Sequence, residues 1–264
     1  MSSSLFLLLS FCIIKKILIN QFLIIKYYLI RKKYFQESMF GNNKILKIEQ
    51  HSGDFLDVQE IFPTLQGEGP FVGQGAIFIR LGGCNLKCNF CDTEFDSFEN
   101  FSLAEILQKV FELAKNSQQK IVRKLVVITG GEPMRQPIEK LCKELIALKF
   151  LVQIETNGTI FRDLPDEVKI ICSPKISNHK YHILRPDILE KVDALKFIIS
   201  ANNNDYSEVG EVGQSSRNDI SIYVQPMDEY DEKKNKENLQ RCLDLCEENG
   251  YFLSLQTHKI TGLK

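Results

Sequence analysis

Hydrophobic and polar residues follow two alternating spacings along most of this chain, from about Asp57 onward. Short runs rich in Val, Ile and Phe predict β-strands, and segments with apolar residues three or four positions apart predict helices. The predicted strands are residues 75–83, 124–131, 151–158, 168–175, 194–200 and 221–227. The predicted helices are residues 102–116, 138–149 and 235–250. The polar segment 202–216 is expected to be a mobile surface loop.

Capping signals mark the ends of these helices. Ser102 followed by Glu105 forms a capping box, and Gly250 is expected to close the last helix. Strands that alternate with helices indicate a parallel sheet, and six strands are too few for the eight of a closed barrel. The chain is therefore predicted to be an α/β protein with an open partial (β/α)6 barrel. Its functional residues should lie at the carboxyl ends of the strands.

The first 38 residues differ from the rest in composition, since they are nearly all Ile, Leu, Phe, Lys, Tyr and Ser. Their first apolar run, residues 5–14, is about half the roughly 20 residues that span a bilayer. Positive charges follow this run instead of preceding it, which is unlike a signal peptide. A membrane anchor over residues 5–30 is one interpretation. The favoured one is that residues 1–38 are a leader outside the domain that comes from an incorrect start, with the true start at Met39. Residues 39–264 then form the domain.

Composition indicates a globular protein, with 44% hydrophobic and 25% charged residues. The net charge of −1 gives no indication of nucleic-acid binding. Eight cysteines are irregularly spaced in a long chain, which is unlike a secreted disulfide scaffold. A reducing compartment, the cytoplasm, with metal or redox chemistry is the expected setting.

Three of the cysteines, Cys84, Cys88 and Cys91, have the spacing C-x3-C-x2-C directly after a predicted strand. Thiolates suit iron–sulfur clusters or zinc. A cluster of four irons normally takes four cysteines, so three would leave one iron open for chemistry. Burial as small hydrophobic residues is disfavoured, because the loop between them is polar. Cys242 and Cys246 lie four apart on a predicted helix and are expected to be packing residues.

This cysteine loop resembles that of the radical S-adenosylmethionine (SAM) superfamily. The resemblance implies a 4Fe–4S cluster whose open iron is chelated by the amino and carboxylate groups of SAM, which is then cleaved to a 5′-deoxyadenosyl radical. The motif TGGEP, residues 129–133, matches the superfamily segment that binds the SAM amino group. By resemblance, the SAM-binding residues are Phe90, Cys91, Asp92, Gly131, Ser173, Pro174, Lys175, Gln225, Pro226, Met227 and Asp228.

The residues before the cysteines resemble one family within this superfamily. Gln-Gly-Glu-Gly at residues 66–69, Arg80 on the following strand and Cys-Asp-Thr at residues 91–93 are similar to the 7-carboxy-7-deazaguanine synthase family. The similarity runs from about Val58 to the end of the chain. It implies a radical ring contraction of 6-carboxy-5,6,7,8-tetrahydropterin to 7-carboxy-7-deazaguanine with release of ammonia. This reaction belongs to the synthesis of the queuosine precursor.

The same resemblance implies a Mg²⁺ ion held by Thr93 together with the substrate. Arg80 is expected to bind the substrate carboxylate in a bidentate fork, since an arginine in a buried strand needs an anionic partner. Glu68 either accepts hydrogen bonds from the substrate or braces its loop, and the role of His258 is left open. By resemblance, the substrate-binding residues are Leu65, Gln66, Gly67, Arg80, Thr129 and Lys264.

The family resemblance also implies a homodimer and a flavodoxin or ferredoxin as reductant, with no direct contact with nucleic acid or membrane. Two other functions are considered. A glycyl-radical-enzyme activase would need neither the Gln-Gly-Glu-Gly loop nor Arg80. A non-catalytic iron–sulfur or zinc module would not need the motif at residues 129–133.

Overall fold

One mixed sheet of nine strands forms the body of the protein. The computed structural model describes residues 43–88, 91, 93–217 and 219–263. The leader, the expected start at Met39, and Phe90, Asp92 and Lys264 lie outside these residues. The strands of the sheet are β1 (Phe55–Leu65), β2 (Gly75–Leu81), β3 (Glu99–Ser102), β4 (Leu125–Gly130), β5 (Leu151–Thr156), β6 (Lys169–Cys172), β9 (Ala194–Ile199), β10 (Ser221–Pro226) and β11 (Phe252–Leu253). A separate hairpin pairs β7 (Ile176–Ser177) with β8 (Lys180–Tyr181).

The strand order is β11-β10-β9-β6-β5-β4-β2-β1-β3. From β2 to β11 the strands are parallel and follow the chain order, whereas β1 and β3 extend the sheet in antiparallel register. The two ends of this order, β11 and β3, do not pair with each other, so the sheet is an open partial barrel. The predicted fold class is confirmed, and all six predicted strands are present.

Within the described residues, five α-helices accompany the sheet: α1 (Leu103–Leu113), α2 (Glu139–Ala147), α3 (Pro186–Lys191), α4 (Glu232–Asn249) and α5 (Thr257–Thr261). The Ser102–Glu105 capping box is present, and Gly250 ends α4 with a φ angle of 71°. The described parts of two crossovers, β5 to β6 and β9 to β10, contain no α-helix. The helical layer is therefore less regular than six repeated β/α units.

Two features of the fold differ from the sequence-based expectations. Strand β1 was not predicted, because Pro63 interrupts a run that is otherwise only weakly apolar. Pairing of residues 58–65 with β2 and of residues 55–58 with β3 stabilises it. The segment 202–216 is more than a polar surface loop, since it contains two 3₁₀ turns and Val212 is fully buried. This apolar contact fixes the segment to the core.

The core lies between the sheet and its helices. Ile77 and Ile79 of β2 are fully buried and belong to one apolar cluster with Ile106 of α1 and Leu141 of α2. A strand that is apolar at neighbouring positions is typical of a parallel sheet covered on both faces. Within the described part of the chain, no helix combines the length and the apolar character that a membrane crossing requires.

Candidate active site

Most residues predicted for the cluster, the cofactor and the substrate line one cavity of about 310 Å³. Pockets for small ligands typically have volumes of about 300 to 1,000 Å³. The predicted residues in its wall are Leu65, Gln66, Gly67, Arg80, Cys84, Cys88, Cys91, Thr93, Thr129, Gly131, Ser173, Lys175, Gln225, Pro226, Met227 and Asp228. Pro174 instead borders a separate cavity of about 180 Å³. Phe90, Asp92 and Lys264 lie outside the described residues.

Backbone hydrogen bonds hold the chain where it enters the cysteine loop. Gly82 N donates to Asp57 O at 2.9 Å, and Gly83 N donates to Phe95 O at 2.8 Å. Gly83 has a φ angle of 76°, which favours glycine. A Cβ at this position would approach Arg135 Nε to 2.8 Å. The first cysteine therefore follows a strand end that only a glycine can form.

The Arg135 side chain binds the backbone at this strand end. Its side chain is 2% exposed, its Nη2 donates to Gly82 O at 2.9 Å, and its Nη1 binds Glu49 Oε1 at 2.6 Å. Gln136 Nε2 also donates to Gly82 O, at 3.1 Å. Buried carbonyl groups need such partners. Both side chains come from the segment directly after the TGGEP motif, so this segment helps to set the position of Cys84.

An N-terminal strap, residues 43–49, lies over the other side of the cysteine loop. Leu46 N donates to Cys84 O at 2.8 Å. The amide of Asn43 donates to Thr93 O at 2.9 Å and accepts from Phe95 N at 3.2 Å. The strap thus contacts both ends of the cysteine loop, at Cys84 and at Thr93 to Phe95. This role of the strap was not predicted from the sequence.

Glu132, also in the TGGEP motif, joins the ends of β4 and β5. Its buried carboxylate accepts hydrogen bonds from Met134 N at 3.0 Å, Thr156 Oγ1 at 2.8 Å and Asn157 N at 2.7 Å. Burial raises the pKa of Glu132, and these hydrogen bonds oppose that effect. Asn157 Nδ2 in turn donates to Asn85 Oδ1 at 3.0 Å. Glu132 is therefore linked through Asn157 to the cysteine loop.

The chemistry of the donor set fits a cluster. Burial raises the pKa of the Cys84 thiol to about 12 and also raises that of Cys88. Metal binding releases such thiol protons, because the thiolate is the ligand. Gly131 leaves room beside the loop, since a Cβ on it would approach Cys84 Cβ to 2.8 Å. Among the described residues, no three His, Cys, Asp or Glu side chains converge closely enough to hold a single metal ion.

Arg80 lines the cavity, and an anionic partner of the kind that the sequence led us to expect is present within the protein itself. Arg80 Nε donates to Glu60 Oε1 at 3.0 Å, from the position directly opposite on β1. The two side chains are 23% and 27% exposed. The missed strand β1 supplies this partner. The role of Arg80 in binding substrate stays a prediction.

A buried cluster of charges occupies another part of the cavity wall. Lys196 is 5% exposed, and its Nζ lies 2.5 Å from Glu68 Oε2 and 2.9 Å from Glu155 Oε2. Burial lowers the pKa of Lys196, but the two carboxylates outweigh burial and raise it above its usual range. Burial raises the pKa of Glu68, and Lys196 outweighs this effect to lower it to about 2. Burial raises the pKa of Glu155, and Lys196 opposes this effect without outweighing it. The wall therefore contains one ammonium group between the carboxyl groups of Glu68 and Glu155.

Side-chain amide groups bind the Oε1 atoms of both carboxylates, which are the oxygens that Lys196 does not contact. Gln153 Nε2 donates to Glu155 Oε1 at 2.6 Å, and Gln256 Nε2 donates to Glu68 Oε1 at 3.0 Å. The loop that carries Glu68 is also tied to α5, since Thr257 N donates to Gly67 O at 3.1 Å. Glu68 thus braces its loop through Lys196 and Gln256. A contact with substrate stays a prediction.

Sequence reasoning missed Lys196, Glu155 and Gln256 in this wall. For the first two a signal existed. Each is a charged residue within a short strand that is otherwise mainly apolar, and a charge in a covered parallel strand needs a partner. Gln256 carries no comparable signal, because an amide near the end of a chain is common on protein surfaces.

Comparison with known proteins supports a specific relationship. The family model described as "Radical SAM superfamily" matches residues 78–192. The 7-carboxy-7-deazaguanine synthase of Rickettsia prowazekii (strain Madrid E) is 53% identical over 226 residues, covering 86% of this chain and 96% of that protein. The protein of the same name from Rhodospirillum rubrum is 36% identical over 241 residues, covering 84% of this chain and 98% of that protein.

A solved structure supports the same relationship. The structure described as "Crystal structure of QueE from Escherichia coli" superposes with a TM-score of 0.61 at 25% sequence identity. It covers 76% of this chain and 93% of that chain.

Proposed function

Because the chain belongs to the 7-carboxy-7-deazaguanine synthase family of radical SAM enzymes, we propose that the cavity of about 310 Å³ is where its reaction takes place. The reaction is the ring contraction of 6-carboxy-5,6,7,8-tetrahydropterin to 7-carboxy-7-deazaguanine, with release of ammonia. The enzyme uses a 4Fe–4S cluster, SAM and Mg²⁺. The observation that carries the proposal is that the three loop cysteines, the TGGEP glycines and the first three residues of the Gln-Gly-Glu-Gly loop all line this one cavity.

Cys84, Cys88 and Cys91 would hold the cluster in this proposal. When bound, the cluster and SAM together supply the radical that abstracts a hydrogen atom from the substrate. Gly131 would accept the close approach of SAM, because a glycine has no Cβ there. The remaining SAM contacts would come from the ends of β6 and β10. They are Ser173, Lys175, Gln225, Pro226, Met227 and Asp228, all in the cavity wall. Pro174 would act only by restricting the backbone between Ser173 and Lys175.

On the substrate side, Arg80 would bind the carboxylate. Its Nε already binds Glu60, so the substrate would meet the Nη groups at the end of the guanidinium. Leu65, Gln66, Gly67 and Thr129 would contact the flat ring system. Thr93 would hold Mg²⁺ together with the substrate, and the Asn43 amide, bonded to Thr93 O, would support that position.

A small-molecule substrate follows from the family. A one-electron carrier such as flavodoxin or ferredoxin is the proposed reductant, because the cluster must be reduced to start the chemistry. We also propose a homodimer in the cytoplasm, where a chain with free thiols at Cys84, Cys88, Cys142 and Cys172 stays reduced.

The proposal is tested by anaerobic incubation of the reconstituted protein with the carboxytetrahydropterin, SAM, Mg²⁺ and a reductant. We expect 7-carboxy-7-deazaguanine and ammonia in equal amounts, detected by mass spectrometry and an ammonia assay. Protein that cleaves SAM but leaves the pterin unchanged would contradict the substrate. A glycyl radical on a partner protein, formed together with 5′-deoxyadenosine, would favour the activase alternative.

A further inference from the structure

Lys196 is the least expected residue in the cavity wall. It lies on β9 and joins Glu68, from the loop after β1, to Glu155, from β5. The three side chains are far apart in sequence and nearly buried, with side-chain exposures of 6%, 18% and 15%. Burying three charges costs considerable solvation free energy, and apolar residues of similar size are often as stable. A role in the site would explain why the fold keeps them.

We propose that Lys196 is a positioning residue of the substrate site, whose ammonium group opposes protonation of Glu68 and Glu155 and holds both groups so that they accept hydrogen bonds from N–H donors of the substrate. This proposal rests on the proposed function of the cavity. A reduced pterin has such donors along its amino-pyrimidine edge, at the opposite end from the carboxylate that Arg80 would bind. When both carboxyl groups are ionised, the three side chains together present one net negative charge to that edge.

The geometry gives Lys196 control of both carboxylates at once. It binds the Oε2 atom of each, while Gln256 and Gln153 bind the two Oε1 atoms. Each carboxylate is therefore held at two points and cannot turn freely. A carboxylate accepts through four lone-pair positions, so directions remain for a ligand. All three charged residues line the cavity.

Removal of the ammonium would change what the carboxylates can do. Two buried carboxylates without a cation between them cannot both stay ionised, so one of them takes up a proton with a strongly raised pKa. A protonated carboxyl group carries an O–H donor, which would face an N–H donor of the substrate and could not accept a hydrogen bond from it. The other titratable groups that face the cluster are His258, beside Glu68, and Cys172, beside Glu155. Burial raises the pKa of Cys172, so it stays a neutral thiol.

The experiment compares Lys196→Met with Lys196→Arg in the reconstituted holoenzyme. KM, kcat and substrate dissociation without reductant are measured between about pH 6 and pH 9, where an ordinary carboxylate does not titrate. For Lys196→Met we expect KM and the dissociation constant to rise about tenfold or more near neutral pH. Both should fall again as the pH rises through the new pKa. The wild type and Lys196→Arg should show no such dependence.

A double variant separates charge from packing. Lys196→Met with Glu68→Gln leaves a single carboxylate, so the new pH dependence should disappear even if affinity stays low. SAM cleavage without substrate is measured in all three variants as a readout of the iron–sulfur side of the cavity. Wild-type KM and pH profile in Lys196→Met would overturn the proposal. So would a loss that is independent of pH and equal in Lys196→Arg, which indicates packing alone. Failure of the proposed function would be seen separately, as wild-type protein that does not bind the pterin.

Discussion

The two sides of the cavity are built by different means. At the cysteine loop, glycines and backbone hydrogen bonds set the position of Cys84, with one buried arginine on the carbonyl of Gly82. At the opposite side, charged side chains from three separate segments set the wall around Lys196. The first arrangement depends mainly on chain geometry, and the second on the protonation state of its members.

Because of this difference, pH and substitutions should affect the two sides of the cavity in different ways. Backbone hydrogen bonds do not titrate between about pH 4 and pH 9, so the loop should tolerate pH but not a change of backbone shape. A cluster of buried charges tolerates small shifts of backbone but not the loss of one charge, which leaves the others uncompensated. Variants of the cysteine loop should therefore impair SAM cleavage with and without substrate. Variants of the charged side should impair only steps that involve the substrate.

The largest effect is expected for the cluster ligands. Replacing any one of Cys84, Cys88 or Cys91 by Ala should abolish SAM cleavage, because two thiolates cannot hold the cluster with one defined open iron. The measurement is 5′-deoxyadenosine formation together with the iron content after anaerobic reconstitution. The matched control is the double variant Cys242→Ala, Cys246→Ala. These cysteines lie on α4, outside the cavity, and their loss should leave cluster and activity in place.

Arg135→Met should produce the next largest effect. It removes hydrogen bonds to Gly82 O and Lys47 O and the ion pair with Glu49. We expect the free energy of unfolding to fall by about 2–4 kcal/mol. SAM cleavage should fall equally with and without substrate, because Cys84 loses part of its support.

Arg123→Met is the control for Arg135. Arg123 also donates to backbone carbonyls, those of Leu113 and Lys115, but away from the cavity. Denaturant unfolding and SAM cleavage are measured for both variants. Both should lose stability, and only Arg135→Met should lose cleavage. Equal cleavage in the two variants would mean that Arg135 stabilises the fold without positioning the loop.

Arg80→Ala should affect the substrate side alone. Loss of the guanidinium should raise KM for the carboxytetrahydropterin about 30-fold, which corresponds to about 2 kcal/mol. Arg80→Lys should recover only part of this, because an ammonium cannot form a two-point contact. Glu60→Gln keeps Arg80 and a hydrogen-bond acceptor at the same position, and its KM should change little. SAM cleavage without substrate should be unchanged in all three. Unchanged KM in Arg80→Ala would remove Arg80 from the substrate site.

The same contrast explains what could be predicted from sequence. The cysteine loop and the TGGEP motif are local patterns, so their residues could be recognised one by one. All six parallel strands with strong β-branched runs were also predicted. Strand β1 was not predicted, because Pro63 interrupts its apolar pattern. The pairing of Glu60 with Arg80 was therefore not predicted either. The cluster of Glu68, Glu155 and Lys196 depends on which strands become neighbours in space. No local spacing contains that information.

The smallest expected effect separates two neighbouring acids after β10. Asp228 accepts hydrogen bonds from Lys259 Nζ at 2.9 Å and Asn235 Nδ2 at 2.8 Å. Glu229 accepts from Ser200 Oγ at 2.7 Å and Lys234 Nζ at 3.1 Å. Partial burial raises both pKa values, but the hydrogen bonds outweigh it and lower them. Only Asp228 lines the cavity.

Asp228→Asn and Glu229→Gln should each lower the free energy of unfolding by about 1 kcal/mol at neutral pH. Because each pKa is lower in the folded state, this contribution is present above the ordinary carboxyl pKa near pH 4 and is lost as the pH falls through the folded-state value. The difference from wild type should therefore shrink in acid for both variants. SAM affinity, measured by equilibrium binding to the reconstituted protein, should fall a few-fold only in Asp228→Asn. An equal change in Glu229→Gln would show that the turn after β10 acts through its backbone and not through the Asp228 carboxylate.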